Sequence, residues 1–346
     1  MSEKIYLLLR QYSPLIEKLG LDENFVDITN LVNDYINDNN DIDDLSVTGH
    51  CIDENLKCKC GCNIRLIVGS IIANKMREHL LTELNITCTA GVSYNKLLAK
   101  LAGAQHKPNM QTTLFPNAAQ RFMSNLNHIR LIPGIGYATE KKLNELNLDT
   151  IDKCRYCSID TLKASLGEKL ASQIKDWCLG IDSSEVNVID KAKSIGCEDT
   201  IQKVFNKDDI MRAARNLLAR VWGLVKRDTR IPSTIKLTIR KKNLSTNINE
   251  RFSREISFDN SFLGKGSNSS FDLDTSQENK MISLIESLLM KIINNNDPIE
   301  VNLVGLSFSN FVEGNKRKHE VSNMSETSNT SGSSKQNKIS NFFQKK

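Results

Sequence analysis

The chain has 346 residues, of which 39% are hydrophobic and 25% charged, and its net charge is +5. At roughly 150 residues per domain this describes a globular chain of two or three domains and excludes collagen-like, coiled-coil and wholly disordered proteins. The charge is unevenly spread: residues 1–64 hold twelve Asp and Glu against five Lys and Arg, so an acidic opening precedes a basic body, a pattern that suggests a polyanionic partner.

Two short apolar runs (Leu15, Ile16, Leu19, Leu21; then Phe25, Val26, Ile28) flank Asp22-Glu23-Asn24 and predict a β-hairpin with acids at its tip. Residues 34–62, rich in Asn, Asp and Cys, read as a long loop or insertion. Helical spacing returns over Ile64–Glu83 through Leu66, Ile67, Ile71, Ile72, Met76 and Leu80, and Ile86–Val92 reads as a strand. This strand and helix order predicts an α/β sheet layer. Residues 117–180 read as short helices around Pro133-Gly134-Ile135-Gly136. From Lys193 a strand, a helix with Ile210, Ala214, Leu217, Leu218, Val221 and Val225 on one face, two strands near 235–240 and 251–258, a helix over Ser276–Ile293 and a strand at Val301–Phe308 predict a β-α-β-β-α-β unit. After Val312 the composition shifts to Ser, Asn, Thr, Lys and Glu, and a disordered tail is expected. The longest apolar run, around Leu66–Ala73, is far short of the about 20 residues that span a bilayer. The apolar core of MSEKIYLLLR is too short for a secretory signal, so an intracellular chain without a membrane partner is expected.

Three constellations carry chemistry. In the turn around Gly134 and Gly136, glycines permit close backbone approach, and the N–H groups opening the next helix can receive a DNA phosphate. Arg130, Lys141 and Lys142 surround it, although a plain helix–helix turn also needs glycine. The adjacent carboxylates Asp22 and Glu23 offer the oxygen ligands that Mg²⁺ requires in phosphoryl transfer; the alternative is a solvated acidic turn. In His106-Lys107-Pro108-Asn109, a stiff turn presents one ammonium, suited to a triphosphate. Lys236 and Arg240, on the polar side of the strand bearing Ile235, Leu237 and Ile239, suit a template backbone or a solvated face.

Taken together, the stretches LDENFVDIT, RLIVGSIIANKMRE, GVSYNKLLAKLAGAQHKPNMQT, LNHIRLIPGIGYATEKKL and KSIGCEDT resemble the Y-family (translesion) DNA polymerases and, within them, the iota branch. They occur in the family order over about residues 10–311. The resemblance implies an α+β multidomain chain: a partial palm with an α/β sheet (1–116), an all-α helix-hairpin-helix thumb (117–189), a βαββαβ little finger (190–312) and a disordered tail (313–346). It implies that Asp22 and Glu23 are catalytic ligands of two Mg²⁺ or Mn²⁺ ions and that Lys107 contacts the incoming nucleoside triphosphate. It further implies that the turn at Gly134 and Gly136 grips primer-template DNA. Family members also supply a metal-binding aspartate from a first palm strand, in a stretch like D-x-D-x-F-Y, followed by a fingers domain. Neither occurs in these residues, and Met1 falls at what looks like the palm helix after the fingers. A truncated product or incomplete gene model with an under-ligated metal site is therefore expected.

At the C-terminus, Gln336, Ile339, Phe342 and Phe343 fit Q-x-x-aliphatic-x-x-aromatic-aromatic, which resembles the box that binds the sliding clamp, proliferating cell nuclear antigen (PCNA). Lys316-Arg317-Lys318-His319 reads as a nuclear-localisation patch, and a nuclear protein is expected. The nine cysteines are irregularly spaced and read as free thiols in a reducing compartment. His50-Cys51 with Cys58, Cys60 and Cys62 lacks the C-x₂₋₄-C spacing of zinc sites, so no zinc is expected there.

Overall fold

The computed structural model describes residues 1–39, 42, 44–52, 61–188, 191–204, 206–228, 230–243, 246–263, 273–293 and 300–312. They form two compact units, one ending at residue 189 and the other beginning at 190. Among the described residues, no helix is long and apolar enough to cross a membrane.

The first unit opens with α1 (Ser2–Leu9), the antiparallel hairpin of β1 (Ile16–Leu19) and β2 (Glu23–Val26), and α2 (Thr29–Asp38). Then come β3 (His50–Ile52), α3 (Cys62–Leu84), β4 (Ala90–Val92), α4 (Lys96–Gly103) and β5 (Gln111–Leu114). The last three strands make a parallel sheet in the order β3-β5-β4. Its strand-to-strand connections run through α3 and α4, as parallel pairing requires. Helix α3 is apolar on two sides because it is covered on two sides. Its i, i+4 row Val68, Ile72, Met76 and Leu80 packs with Tyr6, Leu8, Leu9, Ile16 and Val32, while Leu66, Ile67 and Ala73 pack with Val92 and Phe115.

The expected loop at 34–62 requires correction. Its first residues belong to α2, and His50–Ile52 is a strand paired in parallel with Thr112–Leu114. Asn and Asp are poor helix formers, but Leu31, Val32, Tyr35 and Ile36 lie on one side of α2 and pack against the α1–α3 core. Tertiary burial thus outweighs propensity. A three-residue strand is too short to show alternation. The expected strand at 86–92 shortens to Ala90–Val92.

From Pro116 to Cys178 the chain is helical: α5 (Pro116–Asn125), a 3₁₀ turn (Ile129–Leu131), α6 (Tyr137–Glu145), α7 (Ile151–Tyr156), α8 (Ile159–Leu166) and α9 (Glu168–Cys178). Local caps explain several starts. Pro116 stands in the first turn of α5, Thr150 Oγ1 accepts from Lys153 N at 3.3 Å, and Ser158 Oγ accepts from Thr161 N at 3.1 Å. Ile129, Ile132, Leu143, Ile151, Leu162 and Ile174 are buried in one core with Leu97, Leu98 and Leu101 of α4.

The second unit contains β6 (Ser194–Val204), α10 (Lys207–Asp228), β7 (Thr234–Lys242), β8 (Asn249–Ser257), α11 (Thr275–Met290) and β9 (Val301–Ser309). The strand order is β6-β9-β7-β8, every neighbouring pair antiparallel, so each helix carries the chain over one intervening strand. Ile235, Leu237, Ile239, Val304, Leu306 and Phe308 face the two helices, which bury Leu217, Leu218, Val221, Met281, Ile285 and Leu288 against them. An Asp274–Gln277 capping box starts α11.

Candidate nucleotidyl-transfer site and nucleic-acid interface

The hairpin register pairs Leu19 with Glu23, leaving Gly20, Leu21 and Asp22 as the tip. Gly20 has φ +72, a left-handed conformation that suits a glycine in a tight reversal. Asp22 is exposed and makes no hydrogen bond or ion pair with the described residues. Glu23 already holds a cation, the Lys100 ammonium, 2.7 Å from Glu23 Oε2. Asp27 is engaged elsewhere, its Oδ1 accepting from Thr29 N at 2.9 Å where α2 begins.

Helix α4 is aligned to this hairpin by two ion pairs, Lys96–Glu17 at 2.8 Å and Lys100–Glu23 at 2.7 Å. Glu17 lies opposite Phe25, away from the tip, and Glu23 lies at it, so α4 runs toward the tip. The loop bearing Lys107 therefore leaves α4 at its tip-facing end. Lys107 is exposed and has no partner among the described residues. The Lys96–Glu17 pair is the more buried of the two, and Glu17 Oε2 also accepts from Asn187 N at 2.8 Å. Burial works to raise the Glu17 carboxyl pKa, but the Lys96 and Asn187 hydrogen bonds outweigh it and hold the group below the ordinary carboxylate range. Lys96 and Lys100 were discernible in the sequence only as an i, i+4 pair of lysines. Their partners Glu17 and Glu23 become visible only once the helix lies against the hairpin.

The donors at the tip fit a hard divalent cation in one respect: adjacent carboxylates, one unpaired and one balancing an ammonium, are the oxygen ligands such an ion takes together with substrate phosphates. Among the described residues no group of three or more His, Cys, Asp or Glu gathers for a metal. Cys51 lies on β3 and Cys62 opens α3, neither of them in a disulfide, whereas Cys58 and Cys60 lie outside the described residues.

In the helical part, Gly134 has φ +97, and a Cβ there would meet the Trp177 ring at 3.0 Å. A Cβ on Gly136 would meet nothing within 4 Å. Helix α6 begins directly after it without a side-chain cap, so its first N–H groups are open to an anion. Leu143, near the end of α6, is fully buried in one core with Ile132 and Ile135. Lys141 is exposed with no partner among the described residues, and Lys142 Nζ donates to Ser165 O at 3.4 Å. Arg130, by contrast, is paired with Glu140.

In the second unit the ladder places Lys236 beside Ser307 and Glu255, and Arg240 beside Leu303 and Arg251, all on the sheet face opposite the helices. Gly196, Ser194, Ser309, Thr234 and Ser257 make much of the rest of that face small or hydroxylated. Lys236 has no hydrogen-bond or ion-pair partner among the described residues, while Arg240 Nε donates to Asn302 Oδ1 at 2.6 Å. Arg251 is paired with Glu198, whose side chain lies over Gly305. Gln336, Ile339, Phe342, Phe343 and the basic patch at 316–319 lie outside the described residues.

Comparison with known proteins identifies the family. Residues 1–104 match the impB/mucB/samB family, 130–182 the DNA polymerase-iota thumb domain, and 192–321 the C-terminal domain of the impB/mucB/samB family. The chain is 34% identical over 325 residues to DNA polymerase iota of Drosophila melanogaster, covering 90% of this chain and 44% of that relative. To the Homo sapiens DNA polymerase iota it is 33% identical over 314 residues, covering 90% and 42%. It thus spans less than half the length of these curated relatives. A solved Y-family DNA polymerase chimera shares the fold at a TM-score of 0.66 and 21% identity, covering 90% of this chain and 75% of that one. With the palm-side hairpin, the helix-hairpin-helix thumb and the βαββαβ unit following one another in that order, the chain belongs to the Y-family DNA polymerases.

Proposed function

We propose that the chain performs template-directed nucleotidyl transfer to a primer 3′-hydroxyl during DNA synthesis across damaged templates. The observation that carries this reading is the alignment of α4 on the hairpin, which sets the Asp22 and Glu23 carboxylates and the Lys107 loop at one end of the same helix. Asp22 and Glu23 are the ligands of divalent metal, Mg²⁺ or Mn²⁺, and the family mechanism uses two ions. Such metal, when bound, lowers the pKa of the primer hydroxyl and stabilises the departing pyrophosphate. Glu23, which pairs with the Lys100 ammonium, would hold that cation in its place, and Lys107 offers its charge to the triphosphate of the incoming dNTP. The N–H groups after Gly136, with Lys141 and Lys142, receive phosphates of the primer-template duplex. Lys236 and Arg240 face a DNA backbone from the open sheet.

Metal-dependent primer extension by the 346-residue chain, lost in Asp22→Asn, tests this reading. A second reading, a DNA- and clamp-binding module without catalysis, is favoured by one observation: only two carboxylates are available at the tip and no larger ligand group forms among the described residues. It predicts primer-template binding with no extension in either Mg²⁺ or Mn²⁺. The spacing of Gln336, Ile339, Phe342 and Phe343 supports a sliding-clamp (PCNA) partner and, with the basic patch at 316–319, a nuclear location. Unchanged clamp affinity in Phe342→Ala/Phe343→Ala would refute the clamp assignment.

A further inference from the structure

We propose that Arg77 is a positioning residue that sets Lys107 toward the triphosphate; this rests on the reading of Lys107 given above. Arg77 lies on α3, thirty positions from Lys107, and its guanidinium spans two separate backbone segments. Its Nε donates to Cys88 O at 3.0 Å, at the approach to β4. Its Nη2 donates to Asn109 O at 2.7 Å and to Asn109 Oδ1 at 3.0 Å. Asn109 has φ +49, a left-handed conformation that Asn tolerates better than most residues, and the guanidinium satisfies both acceptors that this conformation turns toward α3.

The other end of the turn is also held. His106 stacks on His50 of β3, with ring centroids 3.8 Å apart and planes 8° from parallel, and its Nδ1 is 2.9 Å from Thr112 Oγ1. Lys107 lies between these anchors, and Pro108, whose ring fixes its own φ, is the only residue between Lys107 and Asn109. An orientation imposed at Asn109 is therefore transmitted to Lys107 with little slack. The outcome is an exposed lysine with no partner among the described residues on a loop anchored at both ends, an arrangement in which ordering has been completed before a phosphate arrives. A fork that meets acceptors on two segments is a geometry that lysine does not reproduce.

A purely structural Arg77, tying α3 to the ends of β4 and β5, would affect stability and not phosphate binding through Lys107. A double-mutant cycle separates these roles. The probe is inorganic tripolyphosphate with Mg²⁺, titrated calorimetrically into the full chain and its Lys107→Ala, Arg77→Gln and doubly substituted forms. Lys107→Ala is expected to weaken binding about tenfold, and Arg77→Gln about fivefold, with the double variant no weaker than Lys107→Ala alone. Arg77→Lys should not restore binding, and affinity for primer-template DNA should stay within about twofold in all forms. If Lys107→Ala has no effect, or the unsubstituted chain does not bind tripolyphosphate, both the lysine reading and the Arg77 proposal fall. If Lys107→Ala weakens binding but Arg77→Gln does not, or the two losses add, only the Arg77 proposal is overturned. Should Arg77→Gln fail to fold, Asn109→Gly removes the Oδ1 acceptor and retains the backbone carbonyl and the left-handed turn. A loss of about twofold that disappears in the Lys107→Ala background supports the proposal, and full affinity overturns it.

Discussion

The 2.7 Å contact between Glu23 and Lys100 means that a carboxylate proposed as a metal ligand is balanced by an ammonium of the chain itself. The pair is partly exposed, so solvent screening limits its worth to about 1 kcal/mol or less. Removing the ammonium should leave Glu23 more available: Lys100→Ala is expected to tighten Mn²⁺ binding by roughly threefold, measured by electron paramagnetic resonance. Glu23→Gln and Asp22→Asn should each weaken it by at least about tenfold, and equal affinities across the set would remove these residues from the metal site. The acidic pair itself was plain in the sequence. Its counter-charge was not, because Glu23 and Lys100 are 77 positions apart and meet only through the packing of α4 on the hairpin.

Elements impose their own constraints. The stretch after α9 is fastened to the hairpin and α4: Asn95 Nδ2 donates to Gly180 O at 2.9 Å, Lys96 Nζ to Glu185 O at 2.7 Å and Asn187 N to Glu17 Oε2 at 2.8 Å. Because the Glu17 carboxyl is held below its ordinary pKa, its contribution is complete above the unfolded value of about 4.3 and is lost as pH falls through the lower folded value. The thermal midpoint of the chain should therefore fall more steeply below about pH 4 than that of Glu17→Gln, which lacks this titration. A midpoint-against-pH curve unchanged by the substitution would remove Glu17 from that linkage. The glycine turn before α6 gives a second test. At Gly134 the left-handed φ and the Trp177 ring both oppose a side chain, and Gly134→Ala is expected to cost about 1–3 kcal/mol in urea unfolding and to weaken duplex binding. The P-G-I-G pattern made this turn legible in advance. Helix α2 was not, since its Asn and Asp residues mask a stripe recognisable only once α3 lies against it.

At the scale of the whole molecule, each unit has its own hydrophobic core, and the second buries its apolar strand faces beneath α10 and α11. Its open face carries Lys236 and Arg240 among small and hydroxylated neighbours, with Glu198 and Glu255 on the same surface. If Lys236 meets a DNA phosphate, Lys236→Ala should weaken duplex binding alike for all sequences and reduce the slope of log affinity against log salt by about 1. An unchanged slope would leave Lys236 as a solvated strand residue.

The hairpin, the helical middle, the βαββαβ unit and the candidate carboxylates, glycines and lysines were set by local pattern, because periodicity and turn chemistry act over a few residues. What tertiary structure alone decided are the partnerships: Lys96 with Glu17, Lys100 with Glu23, and Arg77 with Cys88 and Asn109. The physical reason is range. A hydrogen bond or ion pair is short in space but indifferent to separation along the chain, so these pairings come into being only when the helices and strands have packed.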